Sequence, residues 1–290
     1  MTTTVVLPEV PGLGGLYARG AGLAVARRVR SGPSTLPGVS YVVRGVQASS
    51  ERLTDYQHLL GESASDKLPA GFVHVLAFPV ATALMARSDF PLPLVGLVHV
   101  ANRVSQRRPL SLSDVVDIRA SAADLRPHRS GTQVDLVTEV SVDGTLAWRG
   151  VSTYLARGVH LEGSAADDDA PTFVPPTPTG RWTLDGDIGR RYAAVSGDRN
   201  PIHLSAMSAK ALGFRRAIAH GMYTASRALA DVGAGRGDAF DWSVDFVKPV
   251  LLPGTVTVRI AGSPSDGFTF AGWGARSGKP HLTGTVTPLA

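Results

Sequence analysis

Hydrophobic and polar positions alternate in several short runs of the chain. Val256, Val258 and Ile260 alternate with Thr255, Thr257 and Arg259, which predicts a half-buried strand. Trp242, Val244 and Phe246 alternate with Ser243 and Asp245 and predict another. Val134, Leu136, Thr138 and Val140 repeat the pattern earlier in the chain, and Leu146–Leu155 and Thr283–Leu289 read as the closing strands of two sections. Two stretches break the alternation. Gly71–Met85 and Ile218–Val232 are apolar almost all round and rich in Ala, so each predicts a helix buried on most of its surface. Each section thus reads as one buried helix followed by several antiparallel strands. The expected class is α+β, with a curved sheet wrapped around a central helix, twice over.

The segment Glu162–Gly180, EGSAADDDAPTFVPPTPTG, is acidic and then Pro/Thr-rich, with no apolar period. It cannot bury enough surface to offset its ordering entropy and is expected to be an extended linker. The expected division is residues 1–161, a linker at 162–180, and residues 181–290. The length of 290 residues agrees with about two domains. The two parts read as weak repeats. Tyr56-x4-Gly61-Glu62 matches Tyr192-x4-Gly197-Asp198 at an offset of 136, and Pro109–Asp114 runs parallel to Pro249–Gly254 at an offset of 140. The landmarks keep the same order in both parts. Leu16–Val29 reads either as a helix on the sheet or as an arm.

Composition narrows the class. Hydrophobic residues make up 43% and charged residues 18%, with a mean hydropathy of +0.07, which excludes a disordered chain. No apolar run reaches the ~18–20 residues of a membrane span, and Met1–Pro11 lacks the pattern of a signal peptide. There is no Cys, so disulfides, thiolate metal sites and a Cys nucleophile are excluded. A reducing compartment fits, and the expected location is cytoplasmic. The net charge of +5 is almost all Arg, since Lys occurs only at Lys67, Lys210, Lys248 and Lys279. The arginines are scattered, so no nucleic-acid partner is expected. They read as solvated surface, or as a preference for an anionic small molecule.

Candidate chemistry concentrates at Tyr192–Ala211, YAAVSGDRNPIHLSAMSAKA. Pro201 pushes Asn200 out of the α region, so Gly197–His203 is expected to be a loop. Ser205 can cap a short helix through Leu212, ended by Gly213. Asp198 and His203 on such a loop form a natural acid–base pair. The alternative is that Asp198 and Asn200 shape an Asx turn and His203 caps the next helix. Ile218-Ala219-His220-Gly221-Met222 opens the second buried helix. Its unpaired N–H groups make Gly221 N–H a candidate donor to a developing oxyanion, since Gly221 carries no side chain to block a ligand. His220 reads as a structural neighbour with a local hydrogen bond.

Val195-Ser196-Gly197-Asp198-Arg199-Asn200-Pro201-Ile202-His203 resembles the signature of the MaoC-like (R)-specific enoyl-CoA hydratases and dehydratases. Ala219-His220-Gly221-Met222 and Phe246-Val247-Lys248-Pro249-Val250 resemble the same family's helix entry and following strand, so the match runs from about Arg181 to Ile260. The resemblance implies a double hotdog, two antiparallel sheets each wrapped around a buried helix as a tandem pseudo-dimer. It implies reversible hydration of trans-2-enoyl thioesters to (R)-3-hydroxyacyl thioesters, within fatty-acid metabolism. Asp198 then acts as base, His203 supplies or relays the proton to C2, and Gly221 N–H meets the thioester oxygen. Ser196, Asn200 and Lys248 are expected to contact substrate, with Asn200 also holding the loop; Arg215 and Arg216 are weaker candidates for phosphates.

No cofactor and no metal is expected, because hydrogen bonds can hold the enolate and no metal-ligand cluster is visible. The substrate rides on coenzyme A or on an acyl carrier protein, no membrane partner is implied, and a homodimer is left open. The first part departs from the pattern. Glu62 stands in the Asp198 position, Ser63–Leu68 offers no Asn-Pro and no His, and His74 falls nearer the His220 position. It is expected to be catalytically silent and to make room for the acyl chain along Ala70–Met85, with Phe72, Leu76 and Phe78, unless these are only core. Two other functions remain open: a hotdog acyl-thioesterase, and a non-catalytic acyl-thioester-binding subunit.

Overall fold

The structure is a computed structural model that describes residues 2–26, 34–160 and 172–289. In chain order the first elements are β1 (Thr3–Leu7), α1 (Leu13–Ala26), β2 (Val39–Gln47), α2 (Ser50–Leu60) and α3 (Ala70–Met85). Then follow β3 (Leu97–Gln106), β4 (Val115–His128), β5 (Gly131–Val142) and β6 (Thr145–Arg157). The remainder holds β7 (Gly180–Leu184), α4 (Ile188–Ser196), α5 (Pro201–Leu204), α6 (Ala206–Ala211) and α7 (Gly221–Val232). The chain closes with β8 (Phe240–Phe246), β9 (Gly254–Ser263), β10 (Gly267–Trp273) and β11 (Pro280–Pro288). The expected helix at Leu16–Val29 is α1 as far as Ala26, and 27–29 lie outside the described residues. Residues 162–171 of the expected linker also lie outside them, while 172–178 form neither helix nor strand.

The chain divides into two compact units. One comprises Met1–Gln47, His74–Asn102 and Ser113–Asp169; the other Ala48–Val73, Arg103–Leu112 and Ala170–Ala290. In the first, β2, β4, β5 and β6 pair antiparallel in that order. One pair departs from the expected antiparallel pattern, since β1 runs parallel to β2. The alternation in β5 places Val134, Leu136, Thr138 and Val140 in the interior, as its sequence predicts. In α3, all residues except Phe78 and Ala83 are buried, which an all-round apolar helix requires. Phe72 packs edge-on against Tyr56. Phe78 lines a small cavity with His74, Ala81, Leu136, Thr138, Ser152 and Tyr154.

In the second unit the strand order is β8-β11-β10-β9-β7, all antiparallel. The helix α7 packs on β9 and β11. Trp182, Trp242, Val244, Val256, Leu282 and Val286 supply the core against it. Trp182 is also anchored by its indole N–H, which donates to Asp231 Oδ2 at 2.8 Å. The buried helix begins later than the apolar stretch suggested. Residues 218–220 are extended, with Ile218 bridging to Leu251 and Ala219 N–H donating to Val250 O at 2.9 Å. Those backbone bonds outcompete another helical turn and hold the start of α7 at Gly221.

The buried α3 gives a direct test of this packing. Leu84→Ala, at a position with no solvent exposure, should cost about 2–5 kcal/mol. Leu289→Ala, at 39% exposure, should change stability by less than about 0.5 kcal/mol. Urea unfolding of both variants checks the difference.

Candidate active site

The site grows out of the end of α4. Gly197 closes this helix in the left-handed conformation, φ 77°, and its N–H returns to Ala193 O at 2.9 Å. The Ser196 hydroxyl donates to Tyr192 O at 2.8 Å and accepts from Asp198 N–H at 3.1 Å. Asp198 Oδ1 accepts from Asn200 N–H at 3.1 Å, which is an Asx turn. Asn200 in turn caps α5, its Oδ1 accepting from Ile202 N–H at 3.4 Å. Asp198 and Asn200 thus shape an Asx turn, as one reading of the sequence has it, but the caps of α5 and α6 are Asn200 and Ser205 and not His203.

One expectation needs correction. The loop is Gly197–Asn200, and Pro201-Ile202-His203 belong to the single-turn helix α5. Pro201 occupies its first position, where a missing N–H costs nothing and the fixed φ suits a helix. As expected, Ser205 caps α6 by accepting from Ser208 N–H at 3.1 Å, and Gly213 follows with φ 87°.

His203 is buried, and its Nδ1 lies 2.9 Å from Ile218 O. A carbonyl oxygen only accepts, so Nδ1 carries the hydrogen and neutral His203 has its lone pair on Nε2. Burial foremost, and then the neighbouring His220, lower the His203 pKa to about 3, against a smaller opposing pull from Asp198. The ring is thus neutral at physiological pH. The His220 ring stacks on it, with centroids 3.6 Å apart and planes 25° apart. His220 Nε2 donates to the Asp198 carbonyl at 3.0 Å and lies 3.8 Å from Asp198 Oδ2. Burial lowers the His220 pKa as well. His220 does make the expected local hydrogen bond, but it also touches both candidate catalytic residues, which its place in the sequence did not reveal.

This clustering corrects the expectation that no metal-ligand set exists. One ligand atom each from Asp198, His203 and His220 lie within 4.8 Å of one another. The donor directions fit a metal poorly. His220 Nε2 donates its hydrogen to the Asp198 carbonyl and so offers no lone pair to a metal. A carboxylate beside a neutral imidazole suits a water molecule and its protons better.

Gly221 opens α7 directly after His220, so its N–H is one of the helix's unpaired donors at the positive end of the dipole. The space beside its Cα is not open, however. A Cβ there would lie 3.1 Å from the Phe246 ring, so the glycine admits Phe246 more than it clears a path for ligand. Ser196 and Asn200, expected to contact substrate, are buried and use their polar atoms on the backbone of the loop. Lys248 is exposed outside the cluster, as are Arg215 and Arg216.

Gly189 went unnoticed in the sequence. A Cβ on Gly189 would lie 2.0 Å from the carbonyl oxygen of His203, so only glycine lets α4 and α5 approach this closely. A glycine inside a helical pattern was the available signal. Gly189→Ala should displace His203 and lower turnover at least tenfold. A steady-state assay, with circular dichroism showing a folded variant, checks it.

Comparison with known proteins bears on the family. A family model described as the MaoC like domain matches residues 170–267. The chain is 37% identical over 257 residues to 3-hydroxyacyl-thioester dehydratase X of Mycobacterium tuberculosis, an alignment covering 88% of this chain and 91% of that protein. The crystal structure of HtdX from Mycobacterium tuberculosis matches with a TM-score of 0.77 and 36% identity, over 86% of this chain and 100% of that one. Another Mycobacterium tuberculosis protein, described as having a double hotdog fold, matches with a TM-score of 0.51 at 13% identity, over 84% of this chain and 94% of that one, and bears on the fold alone. The similarity reaches well beyond Arg181–Ile260 into the first half, and with the signature loop folded around Asp198 and His203 it shows that this chain belongs to the MaoC-like dehydratase family, built on a double hotdog.

Proposed function

We propose that this chain is a 3-hydroxyacyl-thioester dehydratase, which catalyses reversible hydration of trans-2-enoyl thioesters in fatty-acid metabolism. The reading that carries the mechanism is the state of His203, neutral and with Nε2 unprotonated, beside the Asp198 carboxylate. A water between the two donates one hydrogen to each. Asp198 takes a proton as the water oxygen bonds to C3. The C2=C3 electron pair moves onto the thioester oxygen, where Gly221 N–H and the α7 dipole stabilise the enolate. The proton passes from Asp198 across to His203 Nε2 and is delivered to C2, so H and OH of one water are added. His203 therefore relays a proton it receives and does not supply one of its own. The (R) configuration follows from the family resemblance. The N-terminal half, with Glu62 in place of Asp198, takes no part in the proton transfers in this scheme.

The carrier of the acyl group is read from charge. From Arg199 to Ala230 the chain has no Asp or Glu, while Arg199, Lys210, Arg215 and Arg216 are exposed there. None of these four forms an ion pair among the described residues. An anionic carrier suits that surface, either the phosphates of coenzyme A or an acidic acyl carrier protein. Replacing Arg215 and Arg216 together by Glu should raise KM several-fold with kcat retained, and added salt should narrow the gap.

Loss of enoyl-thioester absorbance from crotonyl-CoA, run beside a thiol reagent, tests the reaction. Asp198→Asn and His203→Gln should each lower kcat by about 10²–10⁴-fold. Thiol release in place of hydration would overturn the assignment.

The same state of His203 predicts a pH response. Unfolded histidine binds its proton near 6.5 and folded His203 only near 3, so between these values the unfolded state holds more protons. Stability should therefore fall as pH drops from about 6.5 toward 3, and kcat should show no protonation step near 6.5. Urea midpoints and initial rates across that range check both.

A further inference from the structure

Arg52 lies in the first turn of α2, far from the signature loop in sequence, and its side chain leaves its own helix. Its Nε donates to Val195 O at 2.6 Å and its Nη2 to Ser196 O at 3.1 Å. These are carbonyls of the last turn of α4, which lack intrahelical N–H partners and form the negative end of its dipole. The neighbouring carbonyls of that turn are occupied, Ala193 O by Gly197 N–H and Tyr192 O by the Ser196 hydroxyl. Gly197 alone separates the second clamped carbonyl from Asp198.

We infer that Arg52 is a positioning residue for the hydration reaction, fixing the Asp198 carboxylate by clamping the two carbonyls that precede its turn. Gly197 is the residue with the widest backbone freedom, so a small rotation there swings Asp198 unless the chain is held on both sides. On the far side, His220 Nε2 holds the Asp198 carbonyl at 3.0 Å. On the near side, the planar guanidinium fork holds two consecutive carbonyls, and two bonds from one rigid group fix direction as well as distance. A lysine in its place keeps the charge and can still donate to a carbonyl, but its single rotatable ammonium lacks the planar fork that fixes direction.

The repeat gives this clamp a meaning. At the offset of 136 that relates Tyr56 to Tyr192, the counterpart of Arg52 is Ile188. The N-terminal copy therefore carries a clamp that the C-terminal copy lacks. The position equivalent to Asp198 in the N-terminal copy is Glu62, whose carboxylate is bound by Arg236 Nη2 at 3.0 Å. The copy without Asn-Pro and His thus keeps a helix that serves the carboxylate of the other copy.

This inference rests on Asp198 as the base, so the experiment separates the two. Wild type, Arg52→Met, Arg52→Lys and Asp198→Asn, alone and combined with Arg52→Met, are assayed on crotonyl-CoA, with folding followed by circular dichroism. Arg52→Met should lower kcat by about 10–100-fold at nearly unchanged KM. Arg52→Lys should fall between it and wild type, and it carries the test if Arg52→Met does not fold. Millimolar guanidinium added to Arg52→Met should restore part of kcat. In the Asp198→Asn background, Arg52→Met should cause little further loss, because both act on one group. Folded Arg52 variants with wild-type kcat and only a lowered melting temperature would overturn the positioning role while leaving the reaction intact. A wild-type protein without hydration activity would overturn both.

Discussion

The hydrogen bond from His203 Nδ1 to the Ile218 carbonyl, 2.9 Å long and shielded from water, sets the chemistry of the site. It leaves the lone pair on Nε2, and the burial that shields it also keeps the ring neutral. The rest of the site depends on Ile218 staying in place. Ile218 is extended, bridges to Leu251, and donates its own N–H to Ile202 O at 3.1 Å, so the partner of His203 is tied to the backbone on both sides. On the other face, Gly189 lets α4 lie directly against the carbonyl of His203. Moving any of these parts would turn the imidazole or free its Nδ1–H.

The two sequence repeats show how one backbone device serves different ends. Helices α2 and α4 both end on a left-handed glycine, Gly61 and Gly197, followed by an acidic residue. After Gly197 the acid accepts from the backbone of its own turn and is flanked by two imidazoles. After Gly61 the acid forms an ion pair with Arg236 and is 8% exposed. A paired, buried carboxylate is a structural group. Asp198, with 20% of its side chain exposed, retains access to a ligand.

Much of this was legible in local sequence. The alternation of Trp242, Val244 and Phe246, the all-apolar Gly71–Met85, and the Asp198–His203 spacing each act over a few residues, where period and turn chemistry decide. Three features were not. Pro201 does keep Asn200 out of the α region, but the expected loop ends there, because the same fixed φ starts a helix when Asn200 is there to cap it. His220 reads from sequence only as a structural neighbour, because its stacking on His203 joins α5 to the entry of α7, which are separate segments of the chain. Arg52 was silent because 143 positions separate it from Val195, and an arginine in the first turn of a helix looks like any solvated surface charge. Contacts of that range follow from tertiary packing, which no local pattern encodes.

The most direct test of the central claim is nitrogen–hydrogen correlation NMR on histidine-labelled protein, with His203 assigned by its disappearance in His203→Gln. The account predicts a ring protonated at Nδ1 and bare at Nε2, with a pattern that does not change as pH falls from 8 through the ordinary histidine pKa of 6.5. A His203 ring protonated at Nε2, or one that titrates near 6.5, would contradict it.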